Sequence, residues 1–140
     1  MKVHSQTDVG LVRTLNEDAC RTGLLGENGA WAVVCDGMGG ANGGEIASET
    51  AVKSIEEQIL ASYEEDFKSE EMKLMLSTLI FHANSAVYDM AQENESLKGM
   101  GTTIVVAIVL DNVAHIAHAG DSRAYLLHNG NIMQITTDHS

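Results

Sequence analysis

The sequence predicts an α+β fold in which two long helices pack against a largely antiparallel β-sheet. Apolar residues first form strand-like runs, then recur at helical spacing in the middle of the chain, and then return to strand-like runs. The turn signals between the strand-like runs are short, which is typical of antiparallel hairpins. Strands, two helices and further strands in this order favour helices laid on one face of a sheet.

The first predicted hairpin covers residues 18–36. Segments 18–24 and 30–36 flank the turn signal Glu27-Asn28-Gly29. The second segment contains an apolar run at 31–35, which is typical of a buried strand. The hairpin is therefore predicted to end at Asp36.

Two helices are predicted next. The first, from 44 to 64, rests on apolar positions near helical spacing with acidic residues between them: Ile46, Ala51, Ile55, Ile59 and Tyr63. The second begins at Ser69, a predicted N-cap, because Glu70 and Glu71 follow where acidic side chains complement the helix dipole. One apolar stripe then continues without glycine or proline: Met72, Met75, Leu76, Leu79, Ile80, Ala83, Val87 and Met90.

The C-terminal part of the chain returns to strands. The β-branched run at 102–110 and the segment 114–118 are predicted as two interior strands. Segments 122–128 and 131–135 flank Asn129-Gly130, a strong hairpin signal. No internal repeat or linker composition divides the sequence, so it is predicted to form one unit.

Composition disfavours several classes of partner. Twenty acidic residues against eight basic ones give a formal charge of -12, so nucleic acid and anionic membranes would be repelled. The acidic excess fits either carboxylates that converge on divalent cations or solvated helix faces, and composition does not decide between them. The N-terminus lacks the apolar core of a signal peptide and no stretch approaches a membrane span, which predicts a cytoplasmic protein. Cys20 and Cys35 lack CxxC spacing and are predicted as buried free thiols.

Polar residues that can carry chemistry stand where the predicted strands end. Asp36 closes a strand and enters the glycine-rich segment DGMGGANGG, where a tightly bent backbone can expose carbonyl groups beside the carboxylate. This combination suits a hard divalent cation. A simple turn in which Asp36 only caps the next helix is an equal alternative. A phosphate-binding loop is disfavoured because Glu45 stands where Lys followed by Ser or Thr is required.

The other candidates have simple explanations when they are taken singly. Glu17 and Asp18 are adjacent acids, which usually form a solvated turn, and Arg13 alone is typical of a surface residue. Asp121 fits a bend residue. Residues 138–139 offer an acid and a base but lie near the end of the chain, where fraying is expected.

Four ordered segments resemble motifs of the metal-dependent protein phosphatase family, also called the protein phosphatase 2C family, in its bacterial branch. They are DVGLVRTLNEDA at 8–19, VVCDGMGGANGGEIAS at 33–48, GMGTT at 99–103, and AGDSRAYLL with TTDHS toward the end. The resemblance spans essentially the whole chain. It implies a β-sandwich flanked by helices in αββα layers, of which this chain holds the N-terminal half.

The resemblance also implies a centre of two Mg²⁺ or Mn²⁺ ions at one end of the sandwich. Asp36 would bridge both ions, and Gly37 would offer its backbone carbonyl to one of them. Glu17 and Asp18 would hold metal-bound waters. Asp121 would be a ligand of a third, weaker metal site.

Substrates and mechanism follow from the same resemblance. Arg13 would bind the substrate phosphate through two parallel hydrogen bonds, and a metal-bridging water would attack phosphorus without a covalent phosphoenzyme. Phosphoserine and phosphothreonine proteins are the implied substrates, with a serine/threonine kinase among the partners. Met38 and Ala41 depart from the family pattern, because members often carry histidine at one of these positions, and no general acid is assigned.

The sequence stops at TTDHS, ahead of the flap and of two further metal-binding aspartates of the family. Residues 1–140 are therefore predicted to be the N-terminal part of a phosphatase catalytic domain, with little activity of their own. A non-catalytic binding module of phosphatase fold is the alternative. A truncated sheet also predicts self-association, because strand edges or apolar surface lack their cover.

Overall fold

The computed structural model describes residues 1–40, 42–64 and 67–140. Two helices cover one face of a five-stranded sheet, and a two-stranded hairpin follows. The elements are, in chain order, β1 (Asp18–Leu25), β2 (Gly29–Met38), α1 (Gly43–Ser62), α2 (Ser69–Glu93), a 3-10 turn (Glu95–Leu97), β3 (Gly101–Thr102), β4 (Ile104–Leu110), β5 (Val113–Ala119), β6 (Tyr125–His128) and β7 (Asn131–Gln134).

Strand β2 is the centre of the sheet. It pairs antiparallel with β1, which places Asp18 opposite Asp36 and confirms the predicted first hairpin. On its other side it pairs antiparallel with β4, and its last residues, Gly37 and Met38, pair with β3. The strand order is therefore β1-β2-β4-β5, and β2 runs beyond the predicted end at Asp36.

The prediction of two interior strands near the C-terminus is confirmed for β4 and wrong for β5. Strand β4 lies between β2 and β5, whereas β5 is the last strand of the sheet within the described residues. Its side chains are half-buried or exposed. Strand β5 alternates small residues with histidines, which suits an edge strand. The continuous apolar run of β4 suits an interior strand.

The helices bury one face of the sheet. Helix α1 packs on β1 and β2, and α2 packs on α1 and β5. Full burial of a large apolar side chain contributes about 1.5–3 kcal/mol, so the shared core dominates the stability of this layer. Its least exposed large side chains come from both layers: Val33, Val52, Ile55, Ile59, Met72, Leu79, Val106 and Ile108.

Two details of α2 differ from the prediction. The helix begins at Ser69 as predicted, but its N-cap is Lys68 rather than Ser69, because the Glu71 carboxylate accepts the backbone N–H of Lys68 at 2.7 Å. At the other end Met90 is 38% exposed while Ala91 is buried, so the apolar stripe ends on the smaller residue.

The second face of the sheet is apolar and is not covered by the helices. Strands β2 and β4 present Val34 and Val105 on this face, and the hairpin β6–β7 shares a cleft of about 540 Å³ with them. Asn129 and Gly130 both have positive φ, as the tight turn of that hairpin requires. The helical layer and the antiparallel sheet are as predicted, and within the described residues β6 and β7 are what the chain contributes to a second sheet.

Two remaining predictions concern thiols and membranes. Cys35 is buried and free as predicted, and burial raises the pKa of its thiol to about 12. Cys20 is free but half-buried. Among the described residues, no helix combines the length and apolarity that crossing a bilayer requires.

Candidate metal centre

One row of residues crosses the sheet at the end where β1 begins and β2 ends. Asp18 lies opposite Asp36. Continuing the β2–β4 and β4–β5 registers places Thr103 opposite Asp36 and Gly120 opposite Thr103. Directly opposed residues share a face, here the face that the helices leave open. Asp121 follows at once in the loop after β5, so three acidic residues meet at this end of the sheet.

The electrostatics of Asp36 confirm that these groups interact. Its pKa is raised, first by partial burial, then by the charge and hydrogen bonding of Asp18 and by the charge of Asp121. Arg13 acts in the opposite direction and lowers it. A carboxylate whose pKa is raised by neighbouring carboxylates resists ionisation unless a cation joins them.

Two glycines bring the end of β2 against the start of α1. The Gly37 N–H donates to the backbone oxygen of Glu17 at 3.0 Å. A Cβ on Gly37 would overlap the Gly44 carbonyl group and lie 2.6 Å from the Glu17 backbone oxygen. A Cβ on Gly44 would overlap the Glu17 carboxylate. The backbone around Gly37 leaves no room for a Cβ, and at Gly44 the Glu17 side chain occupies the space that a Cβ would take.

The loop before β1 is ordered by side-chain hydrogen bonds. Asn16 Oδ1 accepts the Asp18 N–H at 3.0 Å, and Asn16 Nδ2 donates to Thr7 Oγ1 at 2.8 Å. Arg13 Nη1 donates to Glu17 Oε2 at 3.2 Å, while the Arg13 side chain is 69% exposed. An exposed pair of this kind contributes little stability. It orients a guanidinium whose remaining donors are accessible to a phosphate.

The structure does not bear out fraying at residues 138–139. Arg123 donates from Nε to Asp138 Oδ1 at 2.9 Å and from Nη2 to Asp138 Oδ2 at 2.6 Å, and these hydrogen bonds lower the Asp138 pKa. The His139 N–H donates to the Gly120 oxygen at 2.9 Å, and the Gly120 N–H donates to His139 Nδ1 at 3.3 Å. The segment therefore holds both sides of the loop that carries Asp121. Sequence reasoning missed it because no local pattern links Arg123 to an acid so far along the chain.

The donors at this end of the sheet suit a hard cation. They are carboxylate oxygens and the Gly37 carbonyl, which are the ligands that Mg²⁺ and Mn²⁺ accept. Within residues 1–40, 42–64 and 67–140, no three acidic, imidazole or thiol side chains form a ready cluster around one point. The predicted roles give Asp36 direct contact with the ions and let Glu17 and Asp18 act through water. The Glu17 side chain turns toward Arg13 and the start of α1.

The two departures from the family pattern lie next to this centre in sequence. Met38 is 56% exposed and pairs with Gly101. Ala41 lies outside the residues that the structure describes. Neither side chain can donate a proton, so the absence of an assigned general acid stands.

The architecture is that of a helix-covered antiparallel sheet with an acidic, oxygen-rich centre at one end. Residues 12–140 match the family model described as Protein phosphatase 2C, and the chain belongs to that family. Over 143 aligned residues it is 36% identical to the serine/threonine phosphatase stp of Listeria welshimeri, covering 100% of this chain and 55% of that protein.

Solved structures agree with the sequence comparison. The crystal structure of the serine/threonine phosphatase Stp1 from Staphylococcus aureus superposes with a TM-score of 0.87 at 39% identity, covering 96% of this chain and 52% of that one. The catalytic domain of the phosphatase PstP, solved in complex with two manganese ions, gives a TM-score of 0.77 at 34% identity over 95% of this chain and 54% of that one. The chain thus spans about half the length of these relatives.

Proposed function

We propose that this chain supplies the N-terminal part of a catalytic domain that hydrolyses phosphoserine and phosphothreonine in proteins with the help of divalent metal ions. The observation that carries the proposal is the convergence of Asp18, Asp36 and Asp121 beside the guanidinium of Arg13. The names of the relatives as serine/threonine phosphatases support the substrate class.

Each residue of the centre has a proposed part. Asp36 and the Gly37 carbonyl would hold two Mg²⁺ or Mn²⁺ ions, Glu17 and Asp18 would hold their waters, and Asp121 would serve a third ion. Such ions supply a water of lowered pKa and neutralise phosphate charge when they are bound. The manganese complex of PstP supports the choice of Mn²⁺ and the number of ions.

Arg13 is proposed to bind and orient the phosphate. Its pairing with Glu17 leaves donors free, and a guanidinium can meet two phosphate oxygens at once. Such charge-assisted hydrogen bonds are worth about 1.5–3 kcal/mol, so Arg13→Ala is expected to lower kcat/KM about 10- to 100-fold.

A chimera tests the function directly. Residues 1–140 replace the matching segment of the Listeria phosphatase, and hydrolysis of p-nitrophenyl phosphate is measured with Mn²⁺. We expect activity in the chimera, the stated loss in Arg13→Ala, and no loss in Arg21→Ala, a matched control whose partners are Glu49 and Glu56 on α1. A folded but inactive chimera, beside an active parent enzyme, would favour a non-catalytic binding module instead.

The proposed substrates imply an opposing enzyme. Phosphoserine and phosphothreonine arise through serine/threonine kinases, so such a kinase is proposed among the partners and among the substrates. The cytoplasm, where ATP is available to the kinase, is the proposed location.

Self-association of this chain is proposed from its open sheet face. Val34 is 48% exposed there, and Leu126 is 50% exposed on the facing hairpin. Light scattering should show a mass that rises above 15.0 kDa with concentration. Leu126→Glu should reduce this rise, whereas Leu60→Glu on exposed α1 surface should not. A monomer at every concentration would contradict the proposal.

A further inference from the structure

We propose that the hydroxyl pair of Thr103 and Ser122 positions Asp36 and Asp121 relative to each other, so that both face the same cations. The proposal rests on the proposed function, since it assigns the two hydroxyl groups a role in holding the metal centre. Neither residue would touch the ions or the substrate, and each acts as a positioning residue.

The backbone of Asp36 is held by two adjacent threonines. Thr103 Oγ1 accepts the Asp36 N–H at 3.0 Å, and the Thr103 N–H donates to the Asp36 oxygen at 2.9 Å. The Thr102 hydroxyl group lies 3.0 Å from the same oxygen and 2.9 Å from the Thr103 oxygen, and it can donate its one hydrogen to either. Both polar backbone groups of Asp36 are therefore engaged at the point where its side chain leaves the sheet, which limits the directions that the carboxylate can take.

The same hydroxyl group reaches the loop that carries Asp121. Thr103 Oγ1 lies 2.6 Å from Ser122 Oγ, and the Thr103 side chain is buried at 6% exposure. A hydroxyl group has one hydrogen to donate and lone pairs to accept, so Thr103 can accept from Asp36 and bond Ser122 at the same time. Two hydrogen bonds thus connect Asp36 with the immediate neighbour of Asp121.

Steric contact fixes Thr103 on the other side of Asp121. Gly120 has φ +103, and a Cβ built on it would lie 2.8 Å from Thr103 Cγ2. The methyl group of Thr103 therefore packs against Gly120 while its hydroxyl group bonds Ser122. Both chain neighbours of Asp121 meet the same buried side chain, and that side chain also binds Asp36.

Repulsion among the carboxylates explains why such an anchor matters. Asp18 lies directly opposite Asp36, and Asp121 follows Gly120, which lies opposite Thr103, so without cations the like charges of the three side chains favour moving apart. Bonds to the backbone and to an adjacent residue hold the separation without occupying carboxylate oxygens, which stay available as ligands. Removing support of this kind typically costs 10- to 100-fold in metal affinity.

A Mn²⁺ titration of the full 140-residue chain tests the proposal at single residues. Paramagnetic broadening of the backbone amide signals of Asp36 and Gly120 reports the affinity at the centre. Thr103→Val, which keeps the shape but loses the hydroxyl group, should weaken Mn²⁺ binding about 10- to 100-fold. Thr103→Ser should keep the affinity, and Ser122→Ala should weaken it.

Amide hydrogen exchange without metal gives a second readout. The Asp36 amide should exchange faster in Thr103→Val and at the native rate in Thr103→Ser, because only the valine variant loses the acceptor. Val106→Ala controls for stability, since it opens a cavity in the buried core of β4 away from the hydroxyl pair. That variant should lower the melting temperature and leave Mn²⁺ affinity unchanged.

The outcomes separate the two proposals. If the native chain shows no Mn²⁺ broadening at Asp36, the positioning role is overturned, and the chimera assay decides the proposed function separately. If the native chain binds and Thr103→Val binds equally well, or if Val106→Ala weakens binding as much, only the positioning role is overturned. Should Thr103→Val fail to fold, the contrast between Thr103→Ser and Ser122→Ala decides: equal affinities overturn the role.

Discussion

Asp36→Asn is expected to abolish Mn²⁺ binding at the centre and, without metal, to raise the melting temperature of the protein. Asparagine keeps the size of the side chain and removes the charge that Asp18 faces directly across the strand pair. Like charges in directly opposed pairs cost about 0.2–1 kcal/mol, which corresponds to about 1–4 °C in a chain of this size. Mn²⁺ affinity should fall more than about 100-fold, because losing a residue that only hydrogen-bonds a metal ligand already lowers metal affinity about 10- to 100-fold.

The pH dependence of this effect has a defined sign. Burial, Asp18 and Asp121 raise the pKa of Asp36, so the folded chain binds that proton more tightly than the unfolded chain does. The resulting stabilisation is complete below the ordinary aspartate pKa and is lost as pH rises through the raised value. The ionised Asp36 carboxylate then opposes folding of the unmutated chain, and Asp36→Asn lacks this charge. The gain from Asp36→Asn should therefore be full at neutral pH and shrink as pH falls toward about 4.

Thermal unfolding in EDTA across this pH range measures the effect. Excess Mn²⁺ should reverse the order of the two melting temperatures, because Mn²⁺ binds and stabilises the unmutated chain and not Asp36→Asn. Asp89→Asn is the matched control, as Asp89 lies exposed on α2, away from the acidic row. A native protein that melts above Asp36→Asn in EDTA at neutral pH would contradict the electrostatic account of the centre.

Much of the fold is predictable because its signals are local. Periodicity separates strands from helices within one element, and Asn129-Gly130 specifies a hairpin by its own backbone preferences. The edge position of β5 depends on which strands meet, and a single strand's residues do not encode it. The start of α2 at Ser69 follows from its own sequence, but the N-cap differs from the prediction, since the Glu71 carboxylate accepts the backbone N–H of Lys68.

The candidate site divides in the same way. The turn between β1 and β2 fixes the register that places Asp18 opposite Asp36, so their proximity follows from local sequence. The sequence does not predict the contact between Thr103 and Ser122, because this hydrogen bond joins the start of β4 to the loop after β5. Fraying was expected at Asp138 because it lies near the end of the chain, whereas its partner Arg123 lies in another loop and holds it in place. Hydrogen bonds between distant parts of the chain produce no periodic pattern in the sequence.

Gly37→Ala is expected to destabilise the protein by about 2–3 kcal/mol, within the range for forcing an extra methyl group into packed surroundings. The added Cβ would meet the Gly44 carbonyl and the Glu17 backbone oxygen, and neither backbone group can rotate away as a side chain can. The melting temperature should fall by about 6–10 °C. The displaced Gly37 carbonyl should also weaken Mn²⁺ binding.

Two further alanine variants grade this effect by what the new methyl group meets. In Gly44→Ala the nearest atoms belong to the Glu17 carboxylate, which can swing aside, so stability should fall less while Glu17 loses its pairing with Arg13. Gly40→Ala meets nothing within 4 Å, and its stability should match or slightly exceed the native value because the unfolded chain loses freedom. Melting curves and Mn²⁺ titrations of all three variants test the order. If Gly37→Ala and Gly40→Ala have the same melting temperature, then the close approach of β2 to α1 does not position Asp36 and Glu17 at the end of the sheet.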